Sequence, residues 1–267
     1  MPANSPHILV CDPIDEAGLA LLRGCVEVEA RPGLAPAELL EIVPDFDALV
    51  VRSATEVTAE VIAAGRRLSA VARAGSGLDN IDVEAARAAG VRVYNCPDAN
   101  TLAAAELTLA LMLALARNLP EAVNSLRAGR WERGRLAGIN LHAKTLGIVG
   151  FGRIGREVAG RAQAFGMRVL TNQRRPTSEL ALAERVNNLD LDDLLARADF
   201  VSLHAPLTEE TAGMIGAAQL GRMRPTAYLI NTARGGLIDE PALLAALDAG
   251  QLAGAALDVF AAEPASD

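Results

Sequence analysis

Aromatic side chains make up only 3% of this 267-residue chain. Its interior must therefore be filled by Ala, Leu and Val. The apolar share of 51% is enough for a full core in one large or two modest domains. Cysteine is scarce: Cys11, Cys25 and Cys96, odd in number, irregularly spaced and with no C-x-x-C. That pattern argues against a disulfide framework or a zinc site and fits a reducing cytoplasm. Each cysteine reads as a small buried apolar residue. No basic block stands out against a net charge of −8, which argues against nucleic acid and anionic membranes as main partners. An anionic substrate would then need locally placed arginines. The N-terminal M-P-A-N-S-P-H lacks a charged and an apolar region, so no signal peptide is expected. The longest apolar run, Leu102 to Ala116, is interrupted by Glu106 and is too short to span a bilayer.

What is present is alternation. Short β-branched runs (His7–Asp12, Val26–Ala30, Ala48–Arg52, Ala70–Ala74, Arg92–Asn95) alternate with helical patterns at Glu16–Arg23, Pro36–Ile42, Thr58–Gly65 and Val83–Ala89. The second half repeats the scheme. Its strands fall at Thr145–Val149, Arg168–Thr171, Phe200–Leu203, Ala227–Ile230 and Gly254–Asp258, and its helices at Ile154–Phe165, Asp190–Arg197 and Glu240–Ala249. Such alternation implies an α/β fold of parallel strands with crossover helices. Two further helices, Thr101–Arg117 and Leu119–Ala128, lie between the halves. The first is apolar nearly all round and should be buried, in a domain core or a subunit interface. The turn-rich Asn95–Asn100 marks the crossing between domains.

Thr145 to Gly155 reads T-L-G-I-V-G-F-G-R-I-G, an apolar strand running into a glycine fingerprint with a helical stretch behind it. In that context G-x-G-x-x-G points to a dinucleotide. Gly150 permits the tight turn, Gly152 lets backbone approach a pyrophosphate, and Gly155 lets helix pack on strand. The helix N-terminus offers free N–H groups to phosphate. Arg234 follows another strand and precedes two glycines, which puts it at a strand's carboxyl end, where open α/β sheets bind ligands. A guanidinium there can grip a carboxylate through two parallel hydrogen bonds.

Seven stretches carry a wider likeness: V-R-S-A-T-E-V-T from Val51, R-A-G-S-G-L-D-N from Arg73, A-A-A-E-L-T from Ala103, W-E-R from Trp131, G-I-V-G-F-G-R-I-G-R-E-V from Gly147, N-T-A-R-G-G-L-I-D-E from Asn231 and D-V-F-A-A-E-P from Asp258. Together, and in this order, they make the chain resemble the D-isomer-specific 2-hydroxyacid dehydrogenases. Within that family the likeness is to the branch acting on 3-phosphoglycerate in serine biosynthesis. The resemblance implies a flavodoxin-like substrate domain over about residues 1–97, lacking its C-terminal return, and a Rossmann nucleotide-binding domain over 98–267. It also implies a homodimer.

The resemblance assigns roles residue by residue. Arg234 holds the substrate carboxylate and polarises the reacting oxygen. Glu263 orients a catalytic His and raises its pKa. In the family that His follows by somewhat under twenty residues, whereas this chain ends at Asp267. Of the histidines present, His7 and His142 are poorly placed. His204 fits a packing or cofactor-side role better than proton transfer. Arg52, Arg73 and Arg133 are substrate-binding, helped by Asn100 and the Ala74–Gly77 turn with Ser76 and Gly77. Cofactor contacts fall to Ser76, Arg153, Ile154, His204, Ala205, Thr232, Ala233, Arg234 and Asp258, the last accepting from the carboxamide.

One stretch departs from the family. Where an NAD enzyme carries an acid for the ribose 2′-hydroxyl, this chain has Gln173 followed by Arg174 and Arg175. A neutral amide beside guanidiniums suits a 2′-phosphate, so NADP is expected over NAD. Two alternatives remain open: an NADPH-dependent glyoxylate or hydroxypyruvate reductase, and a corepressor-type nucleotide-binding regulator on the same scaffold. With no base positioned, the polypeptide as given is expected to bind dinucleotide but turn over poorly. A nicotinamide absorbance assay of this chain, beside one extended past the missing His, checks this; a robust steady-state rate from the chain as given defeats it.

Overall fold

The computed structural model describes residues 5–174 and 186–263. The chain forms two compact units, Met1–Asn100 and Thr101–Asp267.

The first unit is a five-stranded sheet, all parallel. Its strands are β1 (His7–Val10), β2 (Glu27–Ala30), β3 (Ala48–Val51), β4 (Ala70–Arg73) and β5 (Arg92–Asn95), in the order β2-β1-β3-β4-β5. Helices α1 (Glu16–Arg23), α2 (Pro36–Ile42), α3 (Ala59–Ala64) and α4 (Val83–Ala88) make the crossovers. This is the flavodoxin-like order, with its switch point between β1 and β3. Asp15, Thr58 and Asp82 start their helices by accepting first-turn N–H groups. Leu9, Leu49, Val51 and Val71 are fully buried at its centre.

The second unit opens with α5 (Thr101–Ala116) and α6 (Leu119–Arg127). Its parallel strands are β6 (Thr145–Val149), β7 (Arg168–Asn172), β8 (Asn187–Asn188), β9 (Phe200–Leu203), β10 (Tyr228–Asn231) and β11 (Gly254–Leu257). They lie in the order β11-β10-β9-β6-β7-β8. This is the Rossmann order, and its switch point falls between β6 and β9. On one face α5 and α7 (Arg153–Ala164) pack through Met112, Val158 and Ala162. On the other, α8 (Leu191–Arg197), α9 (Ala217–Leu220) and α10 (Glu240–Asp248) pack through Leu194, Leu220 and Leu243. Strand β6 is buried along its whole length, as a central parallel strand covered on both faces must be.

Several expectations are corrected. Helix α5 does enter a domain core, through Ala105, Thr108, Leu109, Met112 and Ala116, while Leu102 and Leu107 stay exposed because only one of its faces meets the sheet. Cys11 is buried, and burial pushes its thiol pKa up to about 12. Cys25 and Cys96 are exposed, because one lies in the turn after α1 and the other just past edge strand β5. Short elements without a periodic pattern were not anticipated: β8, α9 and the 3-10 turns Val43–Asp45 and Gly235–Leu237. Among the described residues no single helix is long and apolar enough to cross a membrane.

Candidate active site

The glycine turn joins β6 to α7. Gly150 has φ +90°, and a Cβ there would lie 2.6 Å from the Ala205 nitrogen and from the His204 carbonyl carbon. A Cβ on Gly155 would lie 2.6 Å from the Gly150 oxygen. Both positions are thus held to glycine by the fold itself. Gly152 differs. It is the N-cap of α7, no side chain caps that helix, and nothing lies within 4 Å of where its Cβ would be. An uncapped twelve-residue helix with open space at its N-cap is what a pyrophosphate requires. Arg153 is exposed in its first turn, and Ile154 packs inward.

The segment leaving β7 is tied to its neighbours. Gly150 donates to the Asn172 carbonyl (2.9 Å), the Asn172 amide nitrogen to Leu189 O (3.0 Å), and the Gln173 N–H to Asn188 Oδ1 (3.1 Å). Gln173 Nε2 is buried without a hydrogen-bond partner among the described residues. Arg174 is exposed and forked on Glu210. Arg175 lies outside the described residues.

Past β9, His204 lies against the glycine turn. Its Nε2 is 2.9 Å from Ser202 Oγ, and Ser202 is fully buried. Part of the residue surface stays open, yet enough protein surrounds the imidazole that burial pushes its pKa down to about 4. It is neutral at pH 7 and bonded to its own strand, which suits packing rather than proton transfer.

The loop after β10 carries Thr232, Ala233 and Arg234. Buried Asn231 clamps it: Oδ1 accepts the Ala233 N–H (3.0 Å), and Nδ2 donates to Arg234 O (2.9 Å). Thr232 Oγ1 meets Thr108 Oγ1 of α5 at 2.8 Å. The half-buried Arg234 donates through Nη1 to Ala233 O (2.7 Å). A Cβ on Gly235 would strike the Phe260 and Ala261 backbone, so the β10 and β11 loops touch here. Asp258 donates its N–H to Asn231 O (2.9 Å). Glu263 Oε1 accepts from Phe260 N (3.1 Å), and Glu240 Oε1 from Ala261 N (2.6 Å). The parallel sheet therefore gathers the glycine turn, His204, Ala205, Thr232–Arg234 and Asp258 along one edge.

In the first unit, the strand ends carry the candidate substrate residues. Buried Asp12 accepts the backbone N–H of Arg52, and also the Thr55 N–H (3.3 Å) and hydroxyl (2.8 Å). Arg52 Nη1 donates to Pro13 O (3.2 Å). Asn80 Nδ2 donates to Arg52 O (2.8 Å) and Thr55 O (2.6 Å). The Arg73 guanidinium lies where a Cβ of Gly75 would be, and Asn95 Nδ2 donates to Ser76 O (2.6 Å). Gly77 continues that turn and Asn100 closes the unit. Arg133 belongs to the second unit, where it lines a pocket of about 210 Å³ with Trp131, Glu132 and Leu136.

Residues 109–267 match the family model described as D-isomer specific 2-hydroxyacid dehydrogenase, NAD binding domain. The chain belongs to the D-isomer-specific 2-hydroxyacid dehydrogenases. Its second unit is this family's Rossmann domain, and its cofactor is a nicotinamide dinucleotide. The chain is 48% identical to D-3-phosphoglycerate dehydrogenase of Synechocystis sp. over 96% of its own length and 46% of that protein. It is 46% identical to hydroxypyruvate reductase of Thermotoga maritima, over 98% of this chain and 85% of that one. The crystal structure of a glyoxylate reductase from Paecilomyes thermophila superposes with a TM-score of 0.91 at 33% identity, covering 100% of this chain and 84% of that one. The chain spans about half the length of the curated phosphoglycerate dehydrogenases it matches.

Asp12, Asn80, Asn95, Thr108 and Asn231 escaped sequence reasoning. Asp12 and Asn95 show only as polar residues where a strand pattern ends, whereas Asn80, Thr108 and Asn231 sit inside the family-like stretches without a role assigned to them.

Two outcomes follow. Gly152→Ala should leave stability within about 0.5 kcal/mol of the parent but weaken dinucleotide binding about tenfold or more. Gly150→Ala should itself cost about 1–3 kcal/mol. Thermal melts with and without cofactor separate the two, and a large loss of melting temperature in Gly152→Ala would refute the assignment. For His204, the unfolded imidazole protonates near pH 6.5 and the folded one only near pH 4. The unfolded chain therefore binds the proton first as pH falls, and stability is lost from about 6.5 down to about 4. His204→Gln should flatten denaturant-measured stability against pH in that window by up to one proton's worth of slope.

Proposed function

We propose that the protein interconverts a D-2-hydroxy acid and its 2-oxo acid by hydride transfer, with 3-phosphoglycerate as the substrate. The observation that carries this reading is the Asn231 clamp, which holds the Arg234 loop on the same sheet edge as the glycine turn. Arg234 binds the substrate carboxylate and steadies charge on the C2 oxygen, because a guanidinium presents parallel donors that stay charged at any working pH. The nicotinamide, when bound, supplies the hydride acceptor. Glu263 offers a carboxylate, already steadied by the Phe260 N–H, against which an imidazole base is oriented. His204, bonded to Ser202 and neutral, is not that base.

Arg52 and Arg73 of the first unit take the phosphate, and Arg133 of the second unit is assigned to substrate separately; in a chain of net charge −8 such an anion needs fixed cations. Within the first unit Ser76, Gly77 and Asn100 contact substrate, and within the second Thr232, Ala233 and Asp258 contact nicotinamide. Gln173 and Arg174 favour NADP over NAD. The exposed Leu102 and Leu107 of α5, with Leu119, Val123 and Leu126 of α6, form the homodimer surface. A second reading, hydroxypyruvate reduction, is favoured by the 85% coverage of the Thermotoga maritima relative.

Steady-state kinetics with both substrates, run on the chain extended past the missing His, test the assignment. Arg234→Gln should lower kcat/KM by about 10²–10³ for either one. Arg52→Ala should raise KM for 3-phosphoglycerate while leaving hydroxypyruvate nearly unchanged. Equal effects of Arg52→Ala on both would remove the phosphate role, and higher kcat/KM with hydroxypyruvate would favour the second reading.

A further inference from the structure

The sheet places β7 and β9 on either side of β6, so their carboxyl-end loops flank the glycine turn. Among the described residues one side-chain pair joins those loops. Arg174 Nη1 lies 2.7 Å from Glu210 Oε2, and Nη2 donates to Oε1 at 3.0 Å, a two-pronged fork. Both supporting backbones are tied down. Gln173 is bonded to Asn188, while Glu210 sits in a turn closed by Thr208 N–H to Thr211 Oγ1 (2.8 Å) and Thr211 Oγ1 to Pro206 O (2.7 Å). The pair can therefore open by side-chain rotation alone, and it is well exposed, at 77% and 62%.

We propose that Glu210 sets cofactor selectivity by competing with a ribose 2′-phosphate for the Arg174 guanidinium. This rests on the reading that the loop after β7 receives the 2′ end of the dinucleotide. A phosphate facing Arg174 must take over the fork that Glu210 occupies. An exposed ion pair is weakly held, so the exchange is feasible, yet it removes part of the gain that a free guanidinium would give. A 2′-hydroxyl makes no such demand, so Glu210 leaves NAD binding alone. The intact pair thus narrows the NADP preference that Gln173 and Arg174 otherwise create, and keeps both dinucleotides acceptable.

The test is equilibrium binding of NADPH and NADH, followed by cofactor fluorescence without substrate, in the parent, Glu210→Gln, Arg174→Ala and the double variant. Glu210→Gln should tighten NADPH about two- to fivefold, the strength of one exposed pair, and change NADH less. The gain should shrink with added salt and vanish in the Arg174→Ala background. An equal change for both dinucleotides, no change for either, or a gain that persists without Arg174 overturns the proposal. The parent's own ratio judges the underlying reading separately. An NADH preference defeats the NADP reading even if the Glu210→Gln gain appears. An NADPH preference with no Glu210→Gln response preserves that reading and defeats this one.

Discussion

A parallel strand that ends leaves backbone N–H and carbonyl groups with no ladder to join, and buried groups of that kind must find partners. In both units side-chain amides meet this constraint. Asn231 holds the Arg234 loop, Asn172 and Asn188 hold the segment after β7, Asn80 holds the Arg52–Thr55 turn, and Asn95 holds Ser76. An amide carries donors and an acceptor on one short stem, so it can bridge two backbone groups of opposite need. The residues assigned to substrate and cofactor sit on loops, but loops whose shape is set by bonds to buried or half-buried asparagines. This is the rigidity that an oriented guanidinium needs, since misplacement by about 1 Å can cost around a hundredfold in rate.

The legible and illegible parts of the chain divide along physical lines. The alternation of strand and helix was plain because burial on both sheet faces demands continuous apolar strands, and β6 is the extreme case. The glycine fingerprint was plain because two of its three positions admit nothing larger. Helix α5 left its inward face undecided because an all-apolar helix carries no periodic signal; the sheet decides that. The asparagine clamps were hidden because asparagine is common in any turn. The Arg174–Glu210 pair was out of reach because its partners are 36 positions apart and meet only through the strand order.

The buried polar residues show a division of labour. Asp12, Ser202 and Asn231 are almost fully enclosed, and each bonds to a loop or side chain at a strand end rather than facing solvent. Arg52, supported by Asp12, is exposed, and Arg234, supported by Asn231, is half-buried. Enclosed groups fix geometry, and the groups proposed to meet ligands stay accessible.

Gly152 gives this division a historical edge. A lineage selected only to keep this domain folded would retain glycine at 150 and 155, where a methyl group collides with backbone, and would be free to drift at 152, where it meets nothing. A descendant that had given up dinucleotides could be recognised by that single loss, with its fold and its melting temperature unaltered.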